Sequence, residues 1–166
     1  VPTPIASQLT GLSTDKLREW TSRRALIPAD QRPKQKGSPA RFSWQTILVL
    51  RIAVLLREQF GLELQAHKSA FADLRKQLRQ QSFIALWGKH LALGPTGTWS
   101  FIDSGGAIPT IDALLIALDP HLFVLRDGFA LPGANEELQF DLFSLCNVHG
   151  KSRGKSNARP AARRVS

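Results

Sequence analysis

The stretch IASQLTGLSTDKLREWTSRRALIPADQRPKQKGSPARF, residues 5 to 42, decides how this chain is read. Ile5, Leu9 and Leu12 place apolar contacts around a first short helix that stops at Gly11, where a left-handed backbone carries little steric penalty. Ser13 then stands as the N-cap of a second helix that opens Thr14-Asp15-Lys16-Leu17-Arg18-Glu19-Trp20. Leu17 and Trp20 face the core, while Lys16, Arg23 and Arg24 lie on more polar faces, and Leu26-Ile27-Pro28 ends the helix. From Ala29 to Ala40 the basic residues Arg32, Lys34 and Lys36 are interleaved with Pro33, Gly37 and Pro39, a composition that builds a hairpin or a mobile loop but no core. Phe42 is expected to anchor its return. A short helix pair followed by a cationic hairpin is the layout of a winged helix-turn-helix, whose second helix enters a DNA major groove while the wing follows the backbone.

Outward from this stretch, Ser43 caps a helix in which Trp44, Ile47, Leu48, Ile52, Leu55 and Leu56 recur at helical intervals up to Gly61. A further helix is predicted from Leu62 to about Gln81, carrying Leu64, Phe71, Leu74 and Leu78. That stripe suits either a seam with a second copy or packing on its own domain. After Ser82 the runs Phe83–Trp87, Leu91–Leu93 and Trp99–Ile102 read as short strands of a meander, separated by Gly-rich turns. Ile111–Leu118 reads as a short helix, and Leu122–Arg126 and Leu138–Leu145 as two more strands. The expected fold class is α+β: a winged helix-turn-helix over residues 1–61, a linking or dimerisation helix over 62–82, a small α+β module over 83–149 and a disordered basic tail over 150–166.

The net charge of +9 is unevenly distributed along the 166 residues. Residues 1–41 carry eight Lys or Arg against three acids, and residues 42–82 six against three; residues 83–149 reverse the balance with two against seven, and the tail holds six basic residues and no acid. Basic segments that flank an acidic module point to a polyanion as partner. The single cysteine, Cys146, cannot form an internal disulfide, and no apolar run is long enough to span a bilayer. With no charged leader followed by an apolar stretch, a cytoplasmic chain that avoids the membrane is expected.

The segments Leu9-Thr10-Gly11-Leu12-Ser13, Leu17-Arg18-Glu19-Trp20, Ala25-Leu26-Ile27-Pro28 and Arg41-Phe42-Ser43 resemble, in order, the MerR family of bacterial regulators, over roughly residues 5 to 80. The resemblance implies a winged helix-turn-helix that binds a pseudo-palindromic operator as a homodimer, with Leu64, Phe71, Leu74 and Leu78 on the dimerisation helix. It also implies that Arg18 grips the DNA backbone, that Trp20 is the recognition-helix aromatic and that Arg41 with Phe42 closes the wing. Ser13, Thr14, Asp15 and Lys16 open the recognition helix, where base-edge contacts belong, and Arg23, Arg24, Arg32, Lys34 and Lys36 complete the expected DNA-binding set. Three positions depart from the family pattern: the lead-in before Ile5 is short, Thr21 stands where an acid is common, and the wing lacks its usual tyrosine. The cysteine-bearing loop of the metal sensors is replaced by the acidic module, so no metal response is expected.

Chemistry other than binding finds little support in the residues. Cys146 and His149 have the spacing of a ligand pair without a second pair to complete a zinc site. Gly150-Lys151-Ser152 and Gly154-Lys155-Ser156 mimic the end of a phosphate loop, but the glycine five residues earlier is absent in both. His67, His90, His121 and His149 are scattered, and Asp103, Asp112, Asp119 and Asp127 fall at turns or helix starts where capping explains them. No cofactor and no catalysis are expected. The reading is a DNA-binding transcriptional regulator; its alternative is an antitoxin-like interaction module, as in some MerR-like proteins that residues 83–145 loosely resemble, whose acidic part binds a basic protein partner.

Overall fold

The computed structural model describes residues 1–33, 38–106 and 112–133. Two short helices come first, α1 (Thr3–Thr10) and α2 (Thr14–Arg18). Gly11 ends α1 in the left-handed region at φ 75°, its amide donating to the Ser7 carbonyl, and the Ser13 hydroxyl accepts from the Lys16 amide to start α2. The second helix does not run on as a regular helix towards Leu26. Glu19–Arg23 forms a π-helical turn, closed by the Arg24 amide on the Glu19 carbonyl. Ala25 takes a left-handed φ of 46° at its end, and the Leu26 amide reaches back to the Trp20 carbonyl. The wider turn lets the adjacent residues Trp20 and Thr21 both face inward.

The next helix, α3 (Trp44–Phe60), is capped by the Ser43 hydroxyl on the Thr46 amide and stops at Gly61, where φ is 62°. Thr46 to Leu50, Ile52, Ala53 and Leu56 are all buried, so its middle is covered on nearly every side. α1 packs against it, and so does a fourth helix. That fourth helix is shorter than the expected span of 62–81: Leu64–His67 is a 3₁₀ turn, followed by α4 (Lys68–Leu78).

Beyond Ser82 the sequence reading needs three corrections. Phe83–Trp87 forms no strand; Ile84–Leu86 is a single 3₁₀ turn. The strands expected at Leu91–Leu93 and Trp99–Ile102 do form, as β1 (Lys89–Leu93) and β2 (Trp99–Asp103), joined through the turn Gly94–Gly97. Within Ile111–Leu118, read as a helix, Leu114–Ala117 is instead a strand, β3. It pairs antiparallel with β1 on the side away from β2, with Leu91 opposite both Phe101 and Ile116. The segment Leu122–Arg126, read as a strand, belongs to α5 (Asp119–Phe129). Leu118, Leu122 and Leu125 are buried at helical spacing, and Pro120 sits in the first turn, where its missing N–H costs nothing. The expected strand Leu138–Leu145 and the tail lie outside the described residues.

The fold is therefore α+β, with a three-stranded antiparallel sheet among the described residues. The inner face of the sheet, Leu91, Leu93, Trp99 and Ile116, meets α4 through Phe71, whose ring lies 6.3 Å from that of Trp99. The Trp99 indole N–H donates to the Ala70 carbonyl at 2.9 Å. α5 returns to pack on α3 and α1, so residues after Phe83 close the core begun by residues before Gly61.

Gly128 marks the closest approach of α5 to α1. A Cβ there would clash with Leu9 Cδ2 and stand 2.9 Å from Cδ1 and 3.1 Å from Cγ. Alanine ordinarily favours a helix interior by about 1 kcal/mol over glycine, but overpacking costs about 1 to 3 kcal/mol. Gly128→Ala is thus expected to lower stability by about 1 kcal/mol net in a denaturant titration. A raised midpoint would mean that Leu9 moves aside freely.

Candidate nucleic-acid interface

α2 and the π turn divide cleanly into two sides. Leu17, Trp20 and Thr21 are buried, the Thr21 hydroxyl donating to the Leu17 carbonyl at 2.8 Å. Thr14, Asp15, Arg18, Ser22 and Arg23 are exposed, and Lys16 is half-buried. Thr14, Arg18 and Ser22 follow one another at four-residue spacing and so share one face.

The basic loop closes on itself through Arg41. The Arg41 carbonyl accepts from the Asp30 and Gln31 amides at 3.1 and 3.2 Å, and its own amide donates to Gln31 at 3.0 Å. On its other side Arg41 bridges Pro2, and the Phe42 amide donates to the Val1 carbonyl at 2.9 Å. Phe42 is driven into the core, which pins the return of the loop while the Arg41 side chain stays outside.

Asp30 fastens the base of the loop to two helices. Its carboxylate accepts from the Ser43 amide at 2.7 Å and from the Ser43 hydroxyl at 3.0 Å, and it pairs with Arg75 at 2.7 Å and Arg79 at 3.4 Å. Arg75 also donates to the Pro28 carbonyl at 2.7 Å. Burial by itself would raise the Asp30 pKa, but the Ser43 amide and Arg75 outweigh it and hold the carboxyl down to about 2. The residue as a whole is exposed, yet its side chain is only 21% exposed, because the ion pairs cover the carboxylate.

Between α2 and the loop runs a groove of about 660 Å³. Arg18, Arg23, Thr14, Ser22 and Thr3 line it on the helical side, with Pro33, Ser38 and Pro39 opposite and Phe42 and Thr21 at its floor. No acid lines it. Among the described residues the side chains of Arg23 and Arg18 make no ion pair apart from a loose contact of Arg18 with Asp15 at 3.5 Å, so both guanidinium groups are available to an anion.

Of the residues expected to touch DNA, the structure brings Thr14, Arg18 and Arg23 together along this groove. Ser13, Asp15, Lys16, Arg32 and Arg41 lie outside its walls, and Lys34 and Lys36 fall outside the described residues. Trp20 and Phe42, at 2% and 3% exposure, are core residues and not exposed contacts: Phe42 reaches only the floor of the groove, and Trp20 only the wall of a smaller cleft. Arg24 points elsewhere, pairing with Glu19 at 2.7 Å and lining a smaller cleft with Trp20 and Arg57. The spacing from Thr14 through Arg18 identifies Ser22, which the sequence reading passed over. Thr3, far off in sequence, left no such signal.

The stripe expected to pair with a second copy is also corrected. Leu64, Phe71, Leu74 and Leu78 are between 0% and 5% exposed within this one chain, packed under α3 and the sheet, and present no seam. Packing on its own domain is the arrangement seen.

No protein-family model matches the chain, and no curated protein is similar enough to it to serve as a relative. Among the described residues no group of three or more His, Cys, Asp or Glu side chains is placed to hold a metal ion, and no described helix is long and apolar enough to cross a membrane.

Proposed function

We propose that this chain is a DNA-binding transcriptional regulator of winged helix-turn-helix type, with α1 and α2 as the helix pair and the loop from Ala29 to Ala40 as the wing. The observation that carries the reading is the groove lined by Arg18, Arg23, Thr14, Ser22 and Thr3, with no acid among the described residues of its walls. Guanidinium groups and hydroxyls on a rigid helix are the usual donors to a phosphate backbone, and they set register while the first turn of the helix faces base edges. The order of motifs shared with MerR regulators supports the same assignment, as does the basic balance of the first 41 residues. In this reading the Asp30 pairs fasten the base of the wing to the start of α3 and to α4, beside the groove that would take one strand of DNA backbone.

Arg18→Ala is expected to weaken binding to every duplex by a similar factor and to reduce the slope of log K against log salt by about 0.9, one phosphate contact. Fluorescence anisotropy over a salt series measures both. The comparison belongs also in a chain whose tail cations, Lys151 to Arg164, are replaced by serine, because six tail charges attract any polyanion. An unchanged slope in both backgrounds sinks the phosphate assignment. Selection from a random duplex library then reads the assembly: a two-fold symmetric site means a dimer, built through surfaces other than the buried α4 stripe.

A further inference from the structure

The first turn of α2 carries one residue that a phosphate-binding surface has no use for. Asp15 lies beside the Arg-lined groove with its side chain 92% exposed. Its one side-chain partner among the described residues is Arg18, at 3.5 Å and itself 67% exposed, and an exposed pair of that length adds little to stability. A carboxylate in this place repels an approaching phosphate backbone and weakens binding to any sequence, unless the DNA supplies a hydrogen-bond donor to offset the repulsion.

Only two such donors face the major groove, the N4 amino group of cytosine and the N6 amino group of adenine. Adenine sets its own N7 acceptor beside that amino group, where it opposes the second carboxylate oxygen; cytosine has only a C–H on that side, with the acceptor of its paired guanine lying on the other. Resting on the DNA-binding reading above, we propose that Asp15 is a specificity-determining residue that accepts from cytosine N4 in the major groove and rejects duplexes lacking cytosine there. Arg18, three residues on, positions the carboxylate in the free protein and turns to a backbone phosphate on docking. Affinity for random DNA is thereby lowered and the margin for the correct site widened, since specificity is a difference between affinities.

The test is library selection with the full chain and two variants, Asp15→Asn and Asp15→Ala, each checked for an unchanged thermal midpoint. The original chain is expected to enrich a motif with one invariant C·G pair. Asp15→Asn should retain the motif but exchange that cytosine for adenine, because an amide pairs with adenine N6 and N7 together. Asp15→Ala should lose the preference at that position, bind the original site about tenfold to a hundredfold less tightly relative to random DNA, and bind random DNA more tightly than the original chain does. Enrichment of the same base pair by all three proteins overturns the role of Asp15 while leaving the DNA-binding reading intact. If the original chain enriches no motif and Arg18→Ala leaves its salt slope unchanged, the DNA-binding reading itself falls, and this inference with it.

Discussion

Trp20→Ala is expected to lower the free energy of unfolding by about 3 to 5 kcal/mol, a large part of what holds a domain of this size together. The indole is 2% exposed, one residue before the buried Thr21, and the Arg57 guanidinium lies over its ring 5.8 Å from the centroid. Truncation removes the ring from the junction of the π turn with α3 and leaves a cavity that rigid helices cannot fill. It also strips Arg57 of its cation–π partner. Urea titration followed by circular dichroism measures the loss. Trp20→Phe, which retains most of the volume, should cost far less and should bind DNA as the original chain does, since the residue touches no groove wall. A loss below about 1 kcal/mol for the alanine variant would contradict the burial.

Acidification from pH 6.5 to pH 4 is expected to remove about 3 kcal/mol of stability through His121 alone. The imidazole is 8% exposed at the start of α5. The Arg51 Nε–H donates to its Nδ1 at 3.3 Å, and Arg51 also donates to the Leu9 carbonyl at the end of α1. Burial, and then the positive charge of Arg51, push the His121 pKa from 6.5 down to about 4. Between those values the unfolded chain takes up a proton that the folded chain excludes, so folding loses ground as pH falls; well above pH 6.5 neither state is protonated and the full stability remains. His121→Asn leaves an acceptor near the place of Nδ1 but cannot titrate in this range. Its unfolding free energy should be nearly flat from pH 6.5 to 4, and a variant that retained the slope would assign it to another group. Asp30 acts at lower pH, where its contribution, complete above its ordinary pKa near 4, disappears as the pH falls towards about 2.

These two residues also show how differently the interior and the surface could be read. Trp20 was expected in the core from its three-residue spacing with Leu17, whereas Thr21 joined it there through the π turn; an i to i+5 closure leaves no mark in residue spacing. His121 looked like one of four scattered histidines. Its role depends on Arg51, 70 residues earlier, which no local pattern connects to it. Much the same holds for Asp30 and Arg75, 45 residues apart, whose pairing fastens the wing. The groove, by contrast, was half legible: Thr14, Arg18 and Arg23 follow from the cap at Ser13 and the helical period, while Thr3 and Ser38 reach it only through the fold.

By itself the sequence determined what depends on near neighbours. Gly11 and Gly61 stop α1 and α3, Ser13 and Ser43 start α2 and α3, and Gly94 to Gly97 turn the chain between β1 and β2, because caps and turns are settled within a few residues. Tertiary structure alone decided the segments whose apolar residues suit more than one partner. Leu114–Ala117 became a strand because β1 offered an open edge, Leu122–Arg126 became helix because Leu118, Leu122 and Leu125 had α3 and α1 to pack on, and the α4 stripe turned inward onto the sheet and not towards a second copy. A short apolar run carries too little conformational preference to choose between helix and strand. The area it can bury against distant parts of the chain makes the choice.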